Sequence, residues 1–134
     1  MSSDFPFSTA RSSLLNTETF RNLLGNALEN STKSVIILSA YVKTVGVNWL
    51  KEKISDKKIN CTIVTRWNNG DLAQGSSDLE CYHLAKKNNW SFKVLQDLHA
   101  KVMLVDNDIL FIGSPNLTGR GMSLVPVSDE ELVF

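Results

Sequence analysis

The sequence predicts an α/β protein: a mixed β-sheet with helices on both faces. Two apolar runs rich in β-branched residues, Val35-Ile36-Ile37-Leu38 and Cys61-Thr62-Ile63-Val64-Thr65, suit strands buried on both sides. Segments of helical periodicity alternate with them, the pattern of β–α units. After residue 90 the rhythm changes to short strands in quick succession, the pattern of a hairpin added to such a sheet.

Residues 1–15 are Ser-rich and aperiodic and read as an N-terminal arm, leaving 16–134 as one folded domain. Phe20, Leu23, Leu24, Ala27 and Leu28 follow the i, i+3, i+4, i+7, i+8 spacing of a helix face, with Asn16 or Thr17 placed to cap it. Val47, Leu50 and Ile54 define a second helix, with Lys51, Glu52 and Lys53 on its solvent side. Residues 67–76, with Asn68-Asn69-Gly70-Asp71 and Gly75, read as a loop. Ser77-Asp78-Leu79-Glu80 has the form of a capping box opening a third helix, with Leu79, Tyr82 and Ala85 on one side. Ser91–Leu95, Leu98–Val105 and Ile109–Ile112 are strand candidates, with a tight turn expected at Asn107-Asp108. Glu131–Phe134 reads as a final strand.

Composition narrows the function. The chain has 134 residues and equal numbers of acidic and basic ones, 14 each, so any polyanion contact must come from a local cluster. Cys61 and Cys81 are too few for a disulfide scaffold and lack metal-ligand spacing; they read as buried thiols. No secretory signal and no membrane-spanning run is visible, so a cytoplasmic location is expected.

The chemistry lies in Leu98–Asn116, LHAKVMLVDNDILFIGSPN. On a strand His99 and Lys101 leave the same face. An imidazole and an ammonium side by side make poor core material, because a buried cation needs a partner, but they suit an anion held between them. The next strand ends in Gly113-Ser114-Pro115-Asn116, which combines close backbone approach with hydroxyl and amide donors. Together these groups describe a phosphate cradle.

His99, Lys101 and Asp106 reproduce an H-x-K-x4-D pattern, and Gly113, Ser114 and Asn116 a G-S-x-N continuation. Chance would place six such residues at fixed spacing in roughly one chain of this length per several hundred thousand, which makes the signal specific. The pattern resembles the phospholipase D superfamily. Arg66-Trp67, Asp71-Leu72 and Ser77-Asp78-Leu79-Glu80 are similar to the upstream half of small one-motif members, restriction-type nucleases and helicase-associated nuclease domains.

The resemblance implies roles for individual residues. His99 would be the nucleophile that forms a phosphohistidine, or the acid that protonates the leaving oxygen. Lys101 and Asn116 would hold the phosphoryl oxygens, with Ser114 hydrogen-bonding nearby. Asp106 would support a turn. Glu130, in preference to Glu131, would orient His99. Arg66 and Arg120 lie beside motif segments and are candidates for substrate-phosphate contact. Such a site needs two histidines, and this chain has one motif. His83 lacks the motif context and reads as a solvated helix residue. The resemblance therefore implies a homodimer with a composite site, no cofactor and no metal. The expected activity is that of a nuclease acting on DNA, with RNA or a phospholipid as other substrates and a catalytically silent phosphate-binding domain as the alternative. Because the sequence stops at Phe134 in an expected strand, it reads as the catalytic part of a longer protein or as a small nonspecific nuclease. Trp49, Trp67 and Trp90 read as packing residues.

Overall fold

A computed structural model describes residues 14–54, 57–73, 77–113 and 117, the side chains of Asn69 and Asp71 excepted. The order of elements is α1 (Thr17–Glu29), β1 (Ser34–Ser39), α2 (Thr44–Ile54), β2 (Asn60–Thr65), α3 (Asn69–Ala73), α4 (Glu80–Lys87), β3 (Ser91–Val94), β4 (Lys101–Val105) and β5 (Ile109–Ile112). The strands form one five-stranded sheet in the order β3-β2-β1-β4-β5. β1, β2 and β3 are parallel, whereas β4 runs antiparallel to β1 and β5 antiparallel to β4.

The α/β class and the mixed sheet agree with the sequence reading. Three of the helices, α1, α2 and α4, share one face of the sheet. Phe20, Leu24 and Leu28 of α1, Val47, Leu50 and Ile54 of α2, and Cys81 and Ala85 of α4 form one core cluster. From the sheet it takes Val35, Ile37, Cys61, Ile63, Met103, Val105 and Phe111. Connection handedness supplies the reason. β1–α2–β2 and β2–α4–β3 both step the same way across the sheet, so right-handed crossovers place both helices on the same side. The alternate residues Ile36, Leu38, Val64, Val102 and Leu104 are only half-buried.

Local chemistry sets the element ends. Asn16 Oδ1 accepts from the Thr19 amide at 2.8 Å and caps α1 as expected. The capping box at Ser77–Glu80 does not form: α4 begins at Glu80, and its N-cap, Leu79, makes no side-chain bond. Ser77 and Asp78 serve the start of α2 instead. Ser77 Oγ accepts from the Val42 amide at 3.3 Å, and Asp78 Oδ2 accepts from the Thr44 amide at 2.9 Å and its hydroxyl at 3.3 Å. The carboxylate thus meets the positive end of the α2 dipole, a tertiary partner outweighing a local one. Within the expected 67–76 loop, Asn69–Ala73 forms the short helix α3. The expected strand Leu98–Val105 begins only at Lys101.

The β4–β5 turn centres one residue earlier than expected. Asp106 and Asn107 have φ of 55° and 57°, and the Asp108 amide donates to Val105 O at 3.0 Å. Positive φ at both central residues is the signature of a type I′ hairpin turn, and Asp and Asn tolerate it. Asp106 also ties the turn to the segment before β1. Its Oδ1 accepts from the amides of Lys33 at 2.8 Å, Ser34 at 3.1 Å and Thr32 at 3.1 Å, while its own amide donates to Ser34 O at 2.7 Å. The Lys33 amide, followed by those of Thr32 and Ser34, holds the Asp106 carboxyl below the usual carboxylate range, against the smaller opposing effect of desolvation.

A depressed folded-state pKa contributes stability that is present above the unfolded value and lost as pH falls through the folded one. Unfolding by urea is therefore expected to show a loss of stability below about pH 4 that Asp106→Asn reduces. At neutral pH Asp106→Ala is expected to cost about 1–2 kcal/mol, the scale of a lost capping side chain.

Candidate active site

Three of the predicted site residues, Arg66, His99 and Lys101, lie at one edge of the sheet. The parallel strands β1, β2 and β3 end there, at Ser39, Thr65 and Val94; β4 starts there at Lys101, and β5 ends there at Ile112. Open α/β sheets place their ligand sites at the carboxyl edge of the parallel strands. Ser39 stands in register with Thr65 on one side and with Lys101 on the other, so the three form one row across the edge. His99 lies in the loop immediately before β4 and is exposed; Lys101 is half-buried. Arg66 follows β2 at the same edge, and Gly113 follows β5, with its amide donating to Lys101 O at 3.1 Å.

Asp106 lies at the other end of β4, about 17 Å from Lys101 at an ordinary strand rise. It lies in the β4–β5 turn and is too distant to touch a ligand at His99. His83 is exposed on α4, its ring against that of Tyr82 at 5.5 Å. Ser114, Asn116, Arg120, Glu130 and Glu131 lie outside the described residues, as does the expected strand Glu131–Phe134.

Ser39 was not singled out by the sequence, yet it organises this edge. Fully buried, its hydroxyl donates to Tyr41 O at 2.6 Å and accepts from the Leu117 amide at 2.9 Å. Leu117, also fully buried, accepts at its carbonyl from the Lys43 amide at 3.0 Å and bridges to Val42. Gly113 is thereby fastened to Lys101, and Leu117 to Ser39 and Lys43. Thr65, equally buried, donates from Oγ1 to Ala40 O at 3.2 Å and ties the ends of β2 and β1 together. The available signal was a hydroxyl residue closing each of two apolar strand runs, where a further aliphatic residue would have packed as well.

Tyr41 was also missed. Arg66 Nη2 donates to its hydroxyl at 2.7 Å, and the guanidinium carbon lies 5.0 Å from the ring centroid. Behind Arg66, the Trp67 ring packs on Phe92 with centroids 5.0 Å apart. The two thiols are not part of this edge. Burial pushes both Cys61 and Cys81 up to about 12, which leaves them protonated and poor nucleophiles. Among the described residues no three His, Cys, Asp or Glu side chains group as metal ligands, and no helix is long and apolar enough to cross a membrane.

Comparison with known proteins bears directly on this arrangement. A protein-family model described as "Cardiolipin synthase, PLD-like domain" matches residues 24–133. The chain belongs to the phospholipase D superfamily. Its fold is shared with Nuc from Salmonella typhimurium, a phospholipase D family member, at a TM-score of 0.62 and 18% identity over 78% of this chain and 68% of that one. NucT from Helicobacter pylori aligns at a TM-score of 0.57 and 19% identity, covering 75% and 69% of the two chains. TrmBL2, an archaeal chromatin protein whose structure shows a novel mode of DNA binding, aligns at 0.53 and 11% over 80% of this chain but only 40% of its own. At these identities the likeness is one of fold. Among curated proteins no sequence matches. The PLD-like domain is thus a phosphodiesterase-superfamily sheet that presents His99 and Lys101 at its carboxyl edge.

Replacing the Ser39 hydroxyl would leave the buried Leu117 amide without its acceptor. Ser39→Ala is expected to cost about 1–3 kcal/mol in chemical denaturation, with a methyl-sized loss of packing too small to account for it.

Proposed function

We propose that this domain is a metal-independent phosphodiesterase that cleaves DNA through a phosphohistidine, in a site shared between two copies of the chain. The observation that carries the reading is the gathering of His99, Lys101 and Gly113 at the carboxyl edge, with His99 exposed. In this reading residues 1–15 are an arm and 16–134 the catalytic domain.

A neutral His99 attacks phosphorus. As the new N–P bond forms and the P–O bond to the leaving group breaks, the protonated His99 of the other copy gives its proton to the leaving oxygen. That second imidazole, now neutral, takes a proton from water, whose oxygen displaces the first histidine. Lys101 and Asn116 bind the non-bridging oxygens as charge builds on them. Ser114 hydrogen-bonds beside them, Glu130 holds the His99 ring, and Arg66 and Arg120 contact flanking phosphates. Two imidazoles acting on one phosphoryl group titrate as a coupled pair.

The likeness to Nuc and NucT, and the DNA binding stated for TrmBL2, support a nucleic-acid substrate. A phospholipid substrate is the second reading, favoured by the description of the matching family model.

Plasmid incubated with the protein in EDTA is expected to be nicked, with a loss of at least about 100-fold in His99→Ala. Choline release from phosphatidylcholine vesicles without nicking would move the substrate to lipid. DNA binding that survives His99→Ala, without cleavage of either substrate, would make the domain a silent binding module. Sedimentation is expected to give a dimer, and a fully active monomer would remove the composite site.

A further inference from the structure

We propose that Tyr41 and Arg66 form a second phosphate subsite, for the phosphodiester next to the one held at His99 and Lys101, and that this subsite selects polynucleotides over substrates with a single phosphate. The inference rests on the phosphodiesterase reading and adds to it the feature that chooses the substrate.

Position is the first argument. Lys101, Ser39 and Thr65 stand in one row across the sheet edge, so the strand that launches Arg66 lies two strand spacings, about 10 Å, from the one that launches Lys101. A side chain as long as arginine, starting there, reaches the step between neighbouring phosphates of one strand. A lipid such as phosphatidylcholine has no second phosphate to place at that point.

Preparation is the second argument. The Thr65 hydroxyl binds Ala40 O at 3.2 Å, which holds Ala40-Tyr41 beside Thr65-Arg66. The Leu95 amide donates to Thr65 O at 2.9 Å, and Trp67 packs on Phe92, so the backbone on either side of Arg66 is fixed. Tyr41 then sets the guanidinium by a 2.7 Å hydrogen bond and a ring contact at 5.0 Å. A fork held in place loses little entropy when it meets a phosphate, which a lysine at this position would not match. Local charge is the third argument. With a formal net charge of zero, the chain must place cations individually where a polyanion is to lie.

Kinetics on two substrates test the proposal: a single-stranded oligothymidylate, and bis(p-nitrophenyl) phosphate, which has one phosphodiester and no neighbour. In Arg66→Gln the ratio of kcat/KM for the oligonucleotide to that for the small ester is expected to fall about tenfold. The slope of log KM for the oligonucleotide against log salt is expected to flatten by about one. Arg66→Lys should recover the slope but not the full ratio, and Tyr41→Phe should lose part of the ratio while retaining the ring. An unchanged ratio and slope, or equal losses on both substrates, would assign the pair to fastening β1 to β2 and overturn the subsite. Should the wild type cleave neither substrate, the proposed activity fails on its own. Oligothymidylate binding by fluorescence anisotropy at several salt concentrations still decides the subsite: a flatter slope in Arg66→Gln supports it, and an identical slope overturns it.

Discussion

The pairing of Lys101 with Ser39 is the constraint on which the site depends. β4 enters antiparallel beside β1, so the strand that begins with Lys101 starts where the parallel strands end. Strand side chains alternate with a period of two, and a slip of one residue would carry Met103 and Val105 out of the core and turn Lys101 to the opposite face. Two features hold the register. Met103 and Val105 are buried against the helices. At the far end, Asp106 binds three successive amides of residues 32–34. This gives a physical meaning to the fixed distance between Lys101 and Asp106 in the motif. The lysine marks one edge of the sheet and the aspartate the other, and the four residues between them are the strand that spans it. Asp106 thereby helps to fix the position of the strand that Lys101 begins.

What the sequence disclosed and what it concealed divide along the range of the interactions involved. Helix α1 was readable because Asn16 caps it locally and Phe20, Leu24 and Leu28 repeat with helical spacing. β1 and β2 were readable as apolar runs, and His99, Lys101 and Gly113 from motif spacing, which the sheet edge then brings together. The Ser77–Glu80 box failed because its two leading residues have better partners at and just before the start of another helix, Thr44 and Val42, roughly 35 positions away in sequence. The β4–β5 turn shifted by one residue because Asp106 satisfies amides before β1 from a positive-φ position, which no local pattern displays. Ser39, Thr65 and Tyr41 look unremarkable in the sequence. Their importance comes from contacts across neighbouring strands and the segments that follow them, Ser39 beside Thr65 and Tyr41 against Arg66.

The electrostatics of the edge follow from how the first crossover is capped. In many α/β proteins the helix that follows the first strand turns its positive N-terminus toward a bound phosphate. Here α2 follows β1 in the same manner, but the Asp78 carboxylate already occupies that end, bonded to the Thr44 amide and hydroxyl, with Lys43 3.7 Å away. A phosphate brought to the same point would meet a negative charge and find its backbone donor engaged. In the proposed reaction the anion is therefore bound elsewhere along the edge, by side chains. His99 and Lys101 at the start of β4 and Arg66 after β2 are the groups whose positions allow it, and they lie on both sides of β1. Binding by side chains has a consequence that binding by a helix end does not. An imidazole can exchange protons and form a bond to phosphorus, whereas a row of amides can only hold charge. In the proposed reaction, the assignment of the helix end to Asp78 leaves the phosphate to residues that can carry out the chemistry.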